Sequence, residues 1–227
     1  MDQIRISPTF SEVSMELLAI SLAEPKQVEY DDRWISTGIY KEPVEGPVKV
    51  SAFGLEGDVQ IDLKNHGGKD KAIYVYTAEN YRFWERELEK TSLPFGQFGE
   101  NFTVTRMPDE TVHIGDIFQV GKIVVQVTQP RVPCFKLGIK MGDPSFVNVF
   151  LHSGRTGFYF RVLEEGEVHN GDTITLLHED EERLNIRDAM LAIIKGPRQQ
   201  EIIEKALRIK ALSQAWQESL EKRRLRS

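Results

Sequence analysis

The chain has 227 residues, a formal net charge of −6 and a hydrophobic fraction of 40%. This length and apolar content suit one large domain with a well-buried core and argue against wholesale disorder. The acidic balance argues against a general nucleic-acid binder, which needs a basic surface to neutralise phosphates. It leaves room for a small basic pocket that binds one anionic ligand.

The single cysteine in the chain excludes an intrachain disulfide, so the fold does not depend on an oxidising compartment. The N-terminal sequence MDQIRISPTF lacks the apolar stretch of a secretory signal. The apolar runs, such as IVVQV and AMLAII, are far shorter than the ~18 residues that a membrane span needs. These features predict a cytoplasmic protein that does not enter a membrane.

The first third of the chain reads as strands followed by one helix. Residues 13–23 are densely apolar and predict an opening strand, and the prolines and glycines of residues 24–57 predict short strands and loops. In KAIYVYTAENYRFWERELEK four of the first five residues after the lysine are aromatic or β-branched, which favours a strand. Tyr81, Trp84 and Leu88 then recur at helical spacing, with Thr77 as the expected N-cap.

Short strands are predicted next at residues 101–104, 116–120 and 123–128. DPSFVNVFL suggests a short helix, with Asp143 as N-cap and Pro144 at the first helical position. GFYFRVL and DTITLL return to strand, and two Gly-Asp turns, in HIGDIFQV and HNGDTITLL, each deliver a strand. Many short strands with about two helices predict a mostly β barrel or sandwich with some α structure.

The composition changes near Leu184, where three short helical patterns begin. Their predicted caps and boundaries are, in chain order, Asn185, Gly196, Pro197 and Ser213. We therefore expect residues 1–180 to form a β-barrel domain and residues 181–227 to form a three-helix appendage. Such a short appendage buries little core alone, so it should dock on the main domain or on a second subunit, a route to a homodimer.

The stretch QPRVPCFKLG holds the lone thiol, Cys134. Pro130 and Pro133 fix φ at two positions and remove two donors, which predicts a stiff extended arm. Arg131 and Lys136 would favour the thiolate if their charges lie near the sulfur. The residues leave three roles open: a buried apolar filler, a soft-metal ligand, or the nucleophile of a cysteine hydrolase, which also needs a nearby histidine.

The segment NHGGKDK is a candidate anion site. Gly67 and Gly68 allow a tight turn that exposes N–H groups, and Lys69 and Lys71 add positive charge beside His66. This combination suits a phosphate or another oxyanion. A Gly-Gly turn between two strands with solvated lysines explains the same residues.

Two further polar residues stand out. Asn101 follows the glycine-rich turn of FGQFGENFTVT, where its amide could bind a heterocycle or could close an Asx-turn. Arg161 lies in an otherwise apolar strand, so its guanidinium either pairs with a carboxylate or reaches an anion.

Six segments in chain order together resemble the MOSC domain, a family named for the C-terminal domain of molybdenum cofactor sulfurase. They are GLEGDVQID, HGGKDKAIYVY, FGENFTV, IGDIFQVG, QPRVPCFKL and GFYFRVLEEGEVHNGD. The resemblance covers roughly residues 14–177 and looks closest to the bacterial YiiM-like branch, whose members carry a small C-terminal three-helix domain. It implies a MOSC-type β-barrel followed by that appendage.

The resemblance implies binding of the molybdenum cofactor (molybdopterin), with Cys134 as a soft thiolate ligand to the metal. Asn101 would contact the pterin, and the cofactor phosphate would meet cationic and backbone groups. The residues expected there are Gly67, Gly68, Lys69, Arg131, Lys136 and Arg161. His66 is the expected proton donor, because histidine titrates near neutrality.

The implied activity is reduction of N-hydroxylated compounds such as hydroxylaminopurines. A role in detoxification and binding of pyridoxal phosphate are further expectations from the same resemblance. The sequence has neither a cysteine cluster for an iron–sulfur centre nor a G-x-G-x-x-G motif, so a separate reductase is expected to supply electrons. The alternative is a module that carries the cofactor, or activated sulfur on Cys134, and catalyses nothing alone.

Overall fold

The computed structural model of the chain describes residues 14–61, 67–194 and 198–225. The predictions that concern His66, Gly196 and Pro197 lie outside these residues. In the described ranges the strands are β1 (Met15–Leu22), β2 (Lys26–Tyr30), β3 (Arg33–Thr37), β4 (Glu42–Val44), β5 (Val48–Ser51), β6 (Gly54–Leu55), β7 (Ile73–Thr77), β8 (Phe102–Thr105), β9 (Ile117–Val120), β10 (Ile123–Pro130), β11 (Phe158–Glu164), β12 (Gly166–Val168) and β13 (Thr173–His178).

The α-helices in the same ranges are α1 (Ala78–Glu87), α2 (Phe135–Met141), α3 (Phe146–His152), α4 (Ile186–Met190), α5 (Gln199–Arg208) and α6 (Gln214–Arg224). A 3₁₀ turn spans Lys69–Lys71. Within the described part of the chain, none of the helices has the length and apolar character required to cross a lipid bilayer.

Seven strands close into a barrel in the order β1-β8-β7-β11-β10-β9-β13, and β13 returns to pair with β1. Every neighbouring pair is antiparallel except β7 and β8, which are parallel. The strand β4 extends the sheet beside β1, β5 pairs with β6 and β12, and β2 and β3 form a separate hairpin. The prediction of a mostly β barrel with some helices is confirmed, and the sandwich alternative is excluded by the closure of the sheet.

Strand β7 is buried on both faces, and its alternation separates two cores. Ile73 and Val75 belong to the large cluster that fills the barrel. Tyr74 and Tyr76 point the other way, into a second cluster of aromatic residues that β7 shares with α1, α2 and α3. The members of this aromatic cluster are Tyr74, Tyr76, Tyr81, Trp84, Phe98, Leu137, Phe146 and Phe150.

Helix α2 was not predicted, and Gly142 ends it in the left-handed conformation. The Asp143 carboxylate accepts hydrogen bonds from the backbone amide and the hydroxyl of Ser145, and the first of these reaches two residues ahead, as the bond of an N-cap residue does. Ser145 already has helical backbone angles and makes no side-chain cap bond, although the regular turns of α3 begin at Phe146. The capping bond thus confirms the prediction of Asp143 as N-cap, with Pro144 at the first helical position.

The other predicted N-caps lie at the expected positions. Asn185 accepts a hydrogen bond from the amide of Asp188, and Ser213 accepts one from the amide of Trp216. Thr77 precedes α1, although its hydroxyl contacts the Glu79 carboxylate rather than a backbone amide.

The C-terminal helices dock on the barrel. Ile186, Met190, Ile202, Ile203 and Leu220 are all buried in the same continuous cluster as the barrel interior. Burying these side chains against the barrel supplies the core that so short a segment cannot form alone.

A buried carboxylate, Asp109, joins the aromatic cluster to the start of β11. Its oxygens accept hydrogen bonds from the amide of Gly157 at 2.7 Å and from the Asn80 side chain at 2.6 Å. Despite these bonds, desolvation by burial raises the pKa of Asp109 to about 6.

We expect Asp109→Asn to change how the free energy of unfolding depends on pH. Because the pKa is raised in the folded state, that state binds the proton more tightly than the unfolded chain does. The contribution of Asp109 to stability is therefore largest below about pH 4 and falls, by up to about 3 kcal/mol, as the pH rises through about 6. Urea unfolding of both proteins across this range measures the difference, and parallel pH profiles would contradict the prediction.

Candidate functional site

A cleft of about 690 Å³, counting the space at its open mouth, lies where the hairpin β2–β3, the strand β7 and the segment after β10 meet. We call it the Cys134 cleft. Its described lining residues are Thr37, Gly38, Ile39, Lys41, Asp58, Val59, Gln60, Ile61, Lys71, Tyr74, Gly99, Asn101, Arg131, Cys134, Lys136 and Tyr159.

Cys134 is half-buried at the point where an extended segment becomes a helix. The strand β10 ends at Pro130, and the amide of Arg131 donates to the carbonyl of Gly157 at 2.9 Å, which fixes the start of the segment. Gly157 has a φ of +70°, and a Cβ there would lie 2.3 Å from the Val75 carbonyl oxygen, so this junction requires glycine. The segment 131–134, here called the cysteine arm, therefore starts from a defined position on the barrel.

The guanidinium of Arg131 is the most deeply buried cation of the cleft, at 5% exposure. It lies 5.1 Å from the ring centre of Tyr74 and 5.4 Å from that of Phe150. One terminal nitrogen, Nη2, donates to the Phe98 carbonyl at 3.5 Å, whereas Nη1 has no hydrogen-bond partner in the part of the chain that the structure describes. A buried charged donor without an acceptor is costly, so this nitrogen fits an anionic group in the cleft.

The charge of the cleft is opposite to that of the chain. Among its described lining residues, four side chains are cationic (Lys41, Lys71, Arg131 and Lys136) and only Asp58 is anionic. The chain as a whole carries a formal charge of −6. Local positive charge in a recessed site concentrates anionic ligands, so the basic pocket that the composition left possible is present.

Asp58 and Lys41 form an ion pair of 2.5 Å in the cleft wall. The second carboxylate oxygen of Asp58 accepts a hydrogen bond of 2.8 Å from the amide of Asn101. Burial lowers the pKa of Lys41, and the attraction of Asp58 opposes that effect. Asp58 thus offsets one of the four cations and fixes its position.

The amide of Asn101 is occupied by contacts inside the protein. Its oxygen accepts from the amide of Tyr74 at 3.1 Å, and its nitrogen donates to Asp58 and to the Ser21 carbonyl. These bonds account for both hydrogens and for one acceptor site of the amide. Asn101 therefore lies in the cleft wall, where it ties Asp58 to strand β7.

Four predicted residues come together in the cleft: Asn101, Arg131, Cys134 and Lys136. Lys136 also donates to the Ser36 carbonyl at 3.3 Å, which links helix α2 to the end of the β2–β3 hairpin. No histidine is among the described lining residues, and His66 lies outside the residues that the structure describes.

The other predicted residues are not among those that line the cleft. The amide of Gly68 donates to the side chain of Gln60 at 3.3 Å, and Gly67 precedes it; the ammonium of Lys69 lies 5.4 Å from the Phe53 ring centre. Arg161 pairs with Asp70 at 2.7 Å, which is the carboxylate alternative for this residue.

Sequence reasoning missed Lys41, Asp58, Tyr74 and Tyr159 as cleft residues. Tyr74 and Tyr159 lie in segments that were recognised only as strands, and their rings are 5.5 Å apart. A polar residue on a strand that is otherwise apolar on both faces is a usable signal. Lys41 offers no comparable signal, because its partner Asp58 is 17 residues away in an irregular region.

The family model of the MOSC domain matches residues 62–175. YflK of Bacillus subtilis (strain 168) is 43% identical over 208 residues, which span 92% of this chain and 94% of that protein. The barrel and its basic, cysteine-bearing cleft thus occur in a chain that belongs to the MOSC domain family.

Within the family the chain is YiiM-like. The crystal structure of YiiM from Geobacillus stearothermophilus superimposes with a TM-score of 0.78 at 32% identity, covering 92% of this chain and 99% of that one. A protein of Gibberella moniliformis (strain M3125 / FGSC 7600) named "Reductase" is 39% identical over 146 residues, 63% of this chain but 26% of that protein.

We expect Asn101→Asp to destabilise the protein by about 3 kcal/mol, because it places a second buried carboxylate against Asp58. The matched control is Asn148→Asp, the same change at an exposed position of α3, with an expected effect within about 0.5 kcal/mol. Chemical denaturation at neutral pH measures both. Equal losses in the two variants would mean that Asn101 does not hold the cleft wall.

Proposed function

We propose that the protein is a molybdenum cofactor-dependent oxidoreductase that reduces N-hydroxylated compounds such as hydroxylaminopurines, with Cys134 as the thiolate ligand of the metal. The observation that carries the proposal is that Cys134 and the partly unpaired guanidinium of Arg131 share one cleft. Membership of the MOSC family, whose domains are associated with molybdenum cofactor binding, supports the choice of cofactor.

The donor set of the cleft fits this cofactor. A thiolate is a soft ligand suited to a soft or borderline metal centre, and Cys134 supplies the sulfur. The cofactor also carries a terminal phosphate, and the free Nη1 of Arg131 with the ammonium groups of Lys71 and Lys136 offers cationic contacts for it.

When bound, the cofactor supplies two-electron chemistry that removes oxygen from the N-hydroxyl group. The chain positions it: the cysteine arm presents the sulfur, and Arg131 holds an anionic group against the aromatic cluster. The Tyr74 hydroxyl donates to the Thr156 carbonyl at 2.9 Å, so its proton stays on the protein. His66 is the proposed proton donor to the substrate oxygen.

The electrons are proposed to come from a separate reductase, and a homodimer formed through the helical appendage is part of the same proposal. The name of the Gibberella moniliformis protein, "Reductase", supports an oxidoreductase role. The matched part is only 26% of that protein's length, so the remainder has room for electron-transfer modules. Cytoplasmic localisation is proposed because a reducing environment keeps a functional thiol out of disulfides.

The second candidate is a carrier module that holds the cofactor, or sulfur on Cys134, without catalysis. The limited coverage of the fungal protein favours this candidate too, because the chain corresponds to one part of a longer protein there.

We expect the protein purified from a cofactor-producing host to contain close to one molybdenum per chain, and Cys134→Ser to lose most of it. The hydroxyl of serine is a harder and much less acidic ligand than a thiol, so it cannot replace the soft thiolate. Metal analysis by mass spectrometry, with circular dichroism as a check on folding, measures the effect. Equal molybdenum in both proteins would rule out ligation by Cys134.

Turnover separates the enzyme from the carrier. With an artificial electron donor, the loaded protein should reduce an N-hydroxylated base, and Cys134→Ser should not. Stoichiometric molybdenum without turnover of any N-hydroxylated substrate would favour the carrier. Hydrolytic activity without metal that depends on a histidine would favour the cysteine hydrolase alternative.

We also expect Arg131→Met to weaken cofactor retention about tenfold or more, because a charge-assisted hydrogen bond contributes about 1.5–3 kcal/mol. Arg131→Lys keeps the charge but loses the planar fork, so its loss should be smaller. Molybdenum content after extended dialysis gives the comparison. Full retention in Arg131→Met would show that this guanidinium does not bind the cofactor.

A further inference from the structure

The first residues of helix α6 touch two chain segments that lead into the Cys134 cleft. The amide of Gln214 donates to the carboxylate of Asp70 at 3.2 Å. The hydroxyl of Ser213 donates to the Gln129 side chain at 2.5 Å, and the amide of Ser213 donates to the Thr128 carbonyl at 3.3 Å. The C-terminal helix is therefore bonded both to the 3₁₀ turn and to the end of β10.

Asp70 is the residue where these contacts meet. One carboxylate oxygen accepts from Arg161 on β11 at 2.7 Å, and the other accepts from Gln214 at the start of α6. The backbone carbonyl of Asp70 accepts from the Thr128 hydroxyl on β10 at 2.6 Å. A carboxylate is favoured at the positive end of a helix, so the contact with this 11-residue helix is electrostatically suited as well.

Both segments continue directly into the cleft. Lys71 follows Asp70 in the 3₁₀ turn and lines the cleft, although Asp70 itself does not. Thr128 and Gln129 are both buried and lie three and two positions before Arg131, the first residue of the cysteine arm. A displacement of Asp70 would therefore also displace Lys71, which follows it in the chain. It would displace the end of β10 and the cysteine arm as well, through the hydrogen bond with Thr128.

We infer that Asp70 is a positioning residue through which the docked C-terminal helix fixes the relative placement of Lys71 and the cysteine arm. The inference rests on the proposed function only for the identity of the group that the cleft holds. The geometric part can be tested without cofactor, because Cys134 is the only cysteine of the chain and any thiol label reports on it alone.

The test variant is Asp70→Asn, which keeps the side-chain volume but leaves one oxygen to serve Arg161 and Gln214. The amide NH₂ then faces a donor, so one of the two contacts is lost. We expect the iodoacetamide alkylation rate of Cys134 in the folded, cofactor-free protein to rise about threefold to thirtyfold, in line with couplings of ~0.5–2 kcal/mol. Molybdenum content should fall in parallel when the variant is made in a cofactor-producing host.

Arg208→Met is the matched control. Arg208 makes a two-bond ion pair with Glu182, at 2.8 Å each, which also ties a C-terminal helix to the residues before α4. It has no contact with Asp70, β10 or the cleft-lining residues in the described contacts. We expect this variant to alter only the urea midpoint.

Ser213→Ala provides a second test, because it removes the contact with Gln129 and should raise the alkylation rate as Asp70→Asn does.

The outcomes separate the two proposals. A rise in alkylation that tracks lost stability equally in Asp70→Asn and Arg208→Met would overturn the positioning role. A rise in Asp70→Asn alone, with no molybdenum in the wild type, would support the positioning role and contradict the proposed cofactor. If the wild type contains molybdenum but Asp70→Asn shows unchanged alkylation and metal content, the proposed cofactor is supported and the positioning role of Asp70 is contradicted.

Discussion

The organisation of the cleft depends on how one buried guanidinium is held. Arg131 lies between the rings of Tyr74 and Phe150, and its backbone amide is bonded to Gly157 at the start of β11. Removing a charge from water is expensive unless aromatic faces and hydrogen bonds replace the lost hydration. The aromatic core therefore does more than fill space: it holds the guanidinium of Arg131, a lining residue of the cleft, whose Nη1 has no hydrogen-bond partner among the described residues.

This arrangement explains why the fold uses two cores that share strand β7. Ile73 and Val75 fill the barrel, whereas Tyr74 and Tyr76 build the aromatic cluster on the opposite face. The site therefore lies on the aromatic side of β7, where Tyr74 lines the cleft, rather than in the barrel interior, and helix α2 contributes Lys136 to its wall. The barrel serves as a rigid support from which the cysteine arm and the 3₁₀ turn extend.

Local signals in most strands, such as the aromatic and β-branched residues of β7, predicted a β-barrel or sandwich, and the resemblance to the MOSC family implied the barrel. The sequence also predicted the thiol, Arg131 and Lys136 as neighbours, since these lie within six residues of one another. The sequence could not show that Arg161 pairs with Asp70, 91 positions away, or that the side-chain amide of Asn101 donates to Asp58. Both pairs form only when the fold brings distant segments together. Helix α2 escaped prediction for another reason: the prolines before Cys134 hid a helix that starts directly after it.

The seam of the barrel has a consequence for how the molecule is made. Closure pairs Met15 with Ile174 and Glu16 with Thr173, so the first strand remains an open edge until most of the polypeptide has left the ribosome. The cleft is assembled from segments as far apart as residues 37 and 159, so it takes shape only at that late stage. A ligand of the complete cleft therefore meets a protein whose distant segments have already come together, and it reaches the site through the open mouth.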